Sequence, residues 1–177
     1  METLEAEILS HVRDVPDYPM AGVLFKDITP LLADGPVFRR VVQAMVDPHH
    51  DGPTPVDVVV GIEARGFILA APVAVALGAG LVPVRKVGNL PSATITASYE
   101  LEYGTAEIEL HADAVRPGQR VLIVDDVLAT GGTAAAATDL VSRLGGSVAG
   151  VTVLLEIGFL QGRSRLPEVD VRALVTI

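Results

Sequence analysis

Apolar positions along this chain fall into two rhythms. Short runs rich in Val, Ile and Leu at 56–61, 81–85, 121–125, 148–155 and 171–175 predict strands covered on both faces. Stretches at 4–12, 37–46, 66–77 and 133–144 carry apolar residues at helical spacing. The last two run into Gly78 and Gly145-Gly146, residues that commonly stop helices. Strands alternating with helices predict an α/β fold with a central, mostly parallel sheet flanked by helices.

One region breaks that order. From Ser92 to Leu110 apolar and polar residues alternate, through Ile95, Ala97, Tyr99, Leu101 and Tyr103 and then Ile108 and Leu110, with Gly104-Thr105 between the two arms. The pattern predicts an antiparallel hairpin inserted into the α/β core, with Glu107 and Glu109 solvated. Hairpins of this kind often cover an active site. The Pro-, Gly- and Asp-rich stretch 47–55 reads as a loop, and its adjacent His49 and His50 as solvated side chains rather than metal ligands. Taken alone, 22–25 is an apolar loop that packs into the core. No repeat, low-complexity tract or linker divides residues 1–177, which read as a single domain.

Composition narrows the function classes. No run approaches the roughly 18 uninterrupted apolar residues of a membrane helix. The acidic start Met-Glu-Thr-Leu-Glu is unlike a signal peptide, and there is no cysteine, so the chain reads as cytoplasmic, with neither disulfides nor thiolate chemistry. A net charge of −9 argues against a nucleic-acid partner. It leaves room for a phosphate-bearing small molecule, because a few arginines and backbone N–H groups make a site locally positive. Lys26 and Lys86 are the only lysines, so any grip on phosphate falls to arginine and main chain.

The densest chemistry lies in Val121-Leu-Ile-Val-Asp-Asp-Val-Leu-Ala-Thr-Gly-Gly-Thr133. A buried strand ends in two carboxylates, Asp125 and Asp126, and passes through a loop of small residues into a helix. Ligands of open α/β sheets bind beyond the carboxyl ends of the strands. At the helix start, Thr130-Gly-Gly-Thr133 offers backbone N–H groups, two hydroxyls and the positive end of the helix dipole, which suit a phosphate dianion. An apolar strand ending in two acids also fits an NTPase. That reading fails because no glycine here is followed by lysine, and a dinucleotide fold fails for want of G-x-G-x-x-G.

The 121–133 segment resembles the phosphoribosyl-pyrophosphate-binding motif of the type I phosphoribosyltransferases. Segments 17–30, 61–67, Arg85-Lys86, 97–104 and 159–163 narrow the resemblance to the adenine-specific branch, across nearly the whole chain. It implies the type I phosphoribosyltransferase fold, with a flap at about 87–111 and a small base-binding hood formed from about 15–35 and the C-terminal segment. The implied reaction transfers the phosphoribosyl group from phosphoribosyl pyrophosphate to N9 of adenine, giving AMP and pyrophosphate. Mg²⁺ is the implied cofactor, bound mainly through the substrate's pyrophosphate, and a homodimer the implied assembly.

Residue roles follow from the same resemblance. Asp125 and Asp126 would hold the ribose hydroxyls, and Ala129, Thr130, Gly131, Gly132 and Thr133 would wrap the 5′-phosphate. Arg65, Arg85 and Lys86 would meet the pyrophosphate; the competing reading of Arg65 is a salt bridge to Glu63 or another acid. Leu24, Phe25 and Lys26 would bind adenine, with Ile157 on its opposite face. Glu102 and Tyr103 in the flap would sit over the reacting centre, where a carboxylate manages the proton lost as N9 attacks. The alternative for Glu102 is a solvated hairpin residue. Asn89 departs from the lysine usual in relatives, which removes one positive charge from the pyrophosphate side. Two rival functions remain at this stage: a phosphoribosyltransferase for a 6-oxopurine, and a non-catalytic sensor of purines or phosphoribosyl pyrophosphate.

Overall fold

The computed structural model describes residues 3–50, 54–100 and 104–177. The chain gathers into two compact units, residues 1–44 and 45–177.

In the first unit, helix α1 (Leu4–His11) is capped by Thr3, whose hydroxyl accepts the Ala6 N–H at 3.2 Å. Arg40 pairs with Glu7 of this helix. Strands β1 (Arg13–Pro16) and β2 (Leu24–Asp27) form a two-stranded antiparallel ribbon, and α2 (Thr29–Ala33) follows. The expected apolar loop at 22–25 is therefore partly a strand. Its four residues are too few for alternation to show in the sequence. Helix α3 (Gly35–His50) carries the chain into the second unit. It takes in the first part of the expected loop at 47–55, with Pro48 in its last turn.

The second unit holds a seven-stranded sheet in the order β5-β6-β4-β3-β7-β8-β9. Strands β3 (Val58–Ile62), β4 (Gly80–Lys86), β7 (Arg120–Leu128), β8 (Ser147–Glu156) and β9 (Val171–Thr176) run parallel. Their cores coincide with the five apolar runs. The hairpin β5 (Thr94–Glu100) and β6 (Thr105–His111) joins antiparallel through β4, as its alternation predicts. Helix α4 (Arg65–Leu77) links β3 to β4 and ends on Gly78 in a left-handed conformation. Helix α5 (Gly132–Arg143) links β7 to β8.

Residue alternation divides the core between the helices. Val58, Val60, Ile62, Val121, Ile123, Val151 and Val153 cluster with Ala137, Leu140 and Val141 of α5. The intervening Val59, Leu122 and Val124 are equally buried, and pleating turns them to the other face, where α4 packs on β3 and β7. The crossovers β3-α4-β4 and β7-α5-β8 leave neighbouring strands in opposite directions. With right-handed crossovers the two helices cover opposite faces, and the ends of β3 and β7 form a switch point.

Candidate active site

Topology brings the predicted phosphate-binding residues to that switch point. Val124, the residue before Asp125, is paired with Gly61 of β3, and Asp125 itself with Val153 of β8. Helix α4 begins just beyond β3 with Arg65 and Gly66. A Cβ on Gly66 would lie 2.8 Å from Asp125 Oδ1 and 3.1 Å from the Val124 carbonyl oxygen. Only a glycine lets this first turn pass so close to the strand. That contact sets Arg65 beside the acids, and its Nε lies 2.8 Å from Asp126 Oδ2. Arg65 does meet an acid, then, but the acid is Asp126 and not Glu63.

Asp126 is 6 % exposed, and its backbone N–H donates to Asp125 Oδ1 at 2.9 Å. Burial pushes the Asp125 carboxyl well above the ordinary aspartate range, and the adjacent Asp126 carboxylate adds to the rise. Two acids and one guanidinium thus share a small space with an excess of negative charge. Such a site accepts hydroxyl donors or a further cation.

From Ala129 to Thr133 the chain turns into α5. Asp125, Val127–Ala134 and Val153 line one cavity. Gly131 occupies the N-cap position with φ 79°, and no side chain caps the helix. Among the described residues the first N–H groups of α5 have no intrahelical or side-chain acceptor, an arrangement that receives an anion. Ile157 follows β8 immediately, and its N–H donates to the Leu128 carbonyl at 2.9 Å, beside the start of this loop.

Arg85 and Lys86 stand at the end of β4 in a separate network centred on Glu63. The Glu63 carboxylate accepts from Arg85 Nε and Nη2 at 3.3 Å, from the Lys86 N–H at 2.8 Å and from Asn89 Nδ2 at 3.3 Å. Burial works against its charge, but the Lys86 N–H and the Arg85 and Asn89 side chains outweigh it and hold Glu63 below its usual range. Arg85 also donates to the Asn89 carbonyl at 3.0 Å. Glu109 corrects an expectation. It is 3 % exposed rather than solvated, and its Oε1 accepts the N–H groups of Asn89 at 2.9 Å and Leu90 at 2.8 Å. The alternation of 107–110 gave no hint of this, because Glu109 is satisfied by a turn some 20 residues earlier.

His49 is a second correction. It is half-buried at the end of α3, and its Nε2 lies 3.2 Å from Thr152 Oγ1. Burial and the nearby Arg172 hold its pKa below the usual value. Among the described residues no group of three or more His, Asp or Glu is placed to hold a metal ion.

The remaining predicted residues fall elsewhere. Glu102 and Tyr103 lie outside the described residues. Leu24, Phe25 and Lys26 belong to β2 of the first unit, where the Phe25 ring meets Tyr18 edge-on at 5.0 Å between centroids. Lys26 Nζ reaches Asp14 Oδ1 at 2.6 Å. The sequence reading placed Glu109 in solvent and gave no role to Glu156 and Arg163, which pair at the end of β8 with the carboxylate buried and the guanidinium exposed. Glu156 is the last residue of a long apolar strand, and a charge in that place is a signal that could have found it.

Known proteins resemble this chain along almost its whole length. A family model described as the phosphoribosyl transferase domain matches residues 30–174. An adenine phosphoribosyltransferase of Thermobifida fusca is 60% identical over 167 residues, 94% of each chain. Among solved structures, adenine phosphoribosyltransferase from Rhodothermus marinus superposes with a TM-score of 0.94 at 48% identity, over 98% of each chain. The enzyme of Saccharomyces cerevisiae, complexed with adenine and an imino-altritol bisphosphate, superposes with a TM-score of 0.90 at 37% identity, over 95% of this chain and 96% of that one.

Proposed function

We infer the residue roles from one premise: the chain belongs to the adenine phosphoribosyltransferase family, and it joins adenine to phosphoribosyl pyrophosphate, giving AMP and pyrophosphate. The observation that carries the roles is the uncapped start of α5 directly after a strand bearing Asp125 and Asp126, with Arg65 held against the second acid.

On this reading the N–H groups and hydroxyls of Ala129–Thr133 receive the 5′-phosphate, and the two aspartates accept the ribose hydroxyls. Arg65 exchanges Asp126 for the pyrophosphate, which its planar fork suits better than a point charge would. Arg85 and Lys86 add positive charge on the same side. In the transfer, adenine N9 forms a bond to C1 of the ribose as the bond from C1 to pyrophosphate oxygen breaks. Positive charge then builds on the ring, and the purine loses a proton. Glu102 takes the proton role and Tyr103 covers the ribose. Leu24, Phe25 and Lys26 bind the base.

Mg²⁺ supplies charge neutralisation on the substrate's pyrophosphate. Asp125 and Asp126 would be the residues closest to such a cation, which arrives mainly on its substrate and keeps several waters. The working form on this reading is a cytoplasmic homodimer. For the chain itself, no helix is long and apolar enough to cross a membrane.

The test is AMP formation from radiolabelled adenine with phosphoribosyl pyrophosphate and Mg²⁺, with hypoxanthine and guanine in parallel. Turnover of adenine alone is the expected result. Turnover of a 6-oxopurine in preference to adenine would overturn the base assignment.

A further inference from the structure

The turn at 161–163 meets the phosphate-binding loop backbone to backbone. A Cβ on Gly131 would run into the carbonyl of Gly162, and a Cβ on Gly162 into the carbonyl of Ala129. No side chain separates the two segments, so any shift of the turn is passed directly to Gly131, the N-cap of α5.

What fixes the turn lies on its far side. Arg163 Nε donates to both carboxylate oxygens of Glu156 at 2.8 and 2.9 Å, and Nη2 donates to Oε2 at 2.8 Å. Nη1 donates to the Val171 carbonyl on β9 at 2.5 Å. Glu156 is 5 % exposed, accepts the Thr176 hydroxyl at 3.3 Å, and ends β8 opposite Leu128, the residue that precedes the loop. Contacts therefore run from the ends of β8 and β9 through Glu156 and Arg163 to Gly162 and Gly131. The guanidinium holds the Glu156 carboxyl below its ordinary range, so the pair stays charged at neutral pH.

We propose that Arg163 is a positioning residue for the 5′-phosphate, acting through Glu156 and Gly162 on the loop Ala129–Thr133. The proposal rests on the assignment of that loop to phosphate. Its reasoning is geometric: an anion held by backbone N–H groups has no long side chain to absorb misplacement, so the loop needs a rigid support. A planar fork with two bonds to one carboxylate gives that rigidity, and a lysine does not.

The experiment compares the full chain with its Arg163→Lys variant by steady-state kinetics and by calorimetric titration with ribose 5-phosphate, which carries no pyrophosphate. The expected result is a KM for phosphoribosyl pyrophosphate raised about tenfold, as a shift of a few tenths of an ångström would produce. Ribose 5-phosphate affinity falls by a similar factor, while kcat and the KM for adenine stay close to the parent's. A variant with a lower Tm but the parent's KM and ribose 5-phosphate affinity overturns the proposal, because the pair would then only hold the fold together. Should Arg163→Lys not fold, Glu156→Gln loosens the same support with a neutral isostere and is read in the same two assays. If the parent makes no AMP, the family-based activity falls, and the ribose 5-phosphate titration still decides the role of Arg163.

Discussion

The loop at 125–133 and the network around Glu63 both gather charge at the ends of parallel strands, yet they are built differently. The loop is one contiguous stretch. Its acids are neighbours in the chain, its donors are backbone, and its geometry comes from a strand running straight into a helix. The Glu63 network draws on the end of β3, the end of β4 and the turn at Asn89, and beside it Glu109 of β6 holds the same turn. Here side chains choose among several partners, and tertiary contact decides the choice. Arg85 illustrates this: its guanidinium is occupied by Glu63 and by the Asn89 carbonyl.

The two regions also carry charge with opposite consequences. In the loop, burial and Asp126 raise the Asp125 carboxyl, so the folded state binds that proton more tightly than the unfolded chain. Stability then falls as pH rises from the unfolded aspartate value through the folded one. Around Glu63 the shift is downward, and the same holds for Glu109, where the N–H groups of Leu90 and Asn89 and the Thr94 hydroxyl outweigh desolvation. Stability from those groups is present above their unfolded values and is lost as pH falls through the folded ones. One region is under tension at neutral pH and the other is relaxed, as expected where binding groups are assembled ahead of their ligand.

Four substitutions test the contrast. Gly131→Ala attacks the contiguous loop: the new Cβ meets the Gly162 carbonyl at a backbone φ of 79° that non-glycine residues avoid. Its kcat/KM for phosphoribosyl pyrophosphate should fall about 100-fold, the effect of displacing a bound group by near an ångström. Parent-like kinetics would show that the backbone contact is slack. Asp125→Asn separates function from stability. Activity should drop about 10- to 100-fold through loss of a carboxyl acceptor, while Tm at pH 7 rises because the cost of burying that carboxyl beside Asp126 is gone. In Tm measured against pH, Glu63→Gln should show the reverse, a loss at pH 7 that closes on acidification. A fall in Tm at pH 7 for both variants would erase the distinction between the regions. The smallest effect is expected from Asn89→Lys, which adds a charge at an exposed position. The KM for phosphoribosyl pyrophosphate should decrease about two- to fivefold, in line with an exposed ion contact. An unchanged or higher KM would mean that Glu63 absorbs the new charge.

The sequence by itself determined the α/β class, the five parallel strands, the inserted hairpin and the glycine-bearing loop that leads into α5. Each is written in a local signal: runs rich in Val, Ile and Leu for strands buried on both faces, alternation for the hairpin, and acids followed by glycines for a strand that turns into a helix. Family resemblance carried the activity further than any local signal could. Only the tertiary structure decided which acid Arg65 meets, that Glu109 is buried, that His49 closes on Thr152 and that Arg163 pairs with Glu156. All but the last of these join residues far apart in the chain. A charged side chain carries no mark of its partner in its own sequence neighbourhood, because that partner is set by strand order and helix placement after the chain has folded.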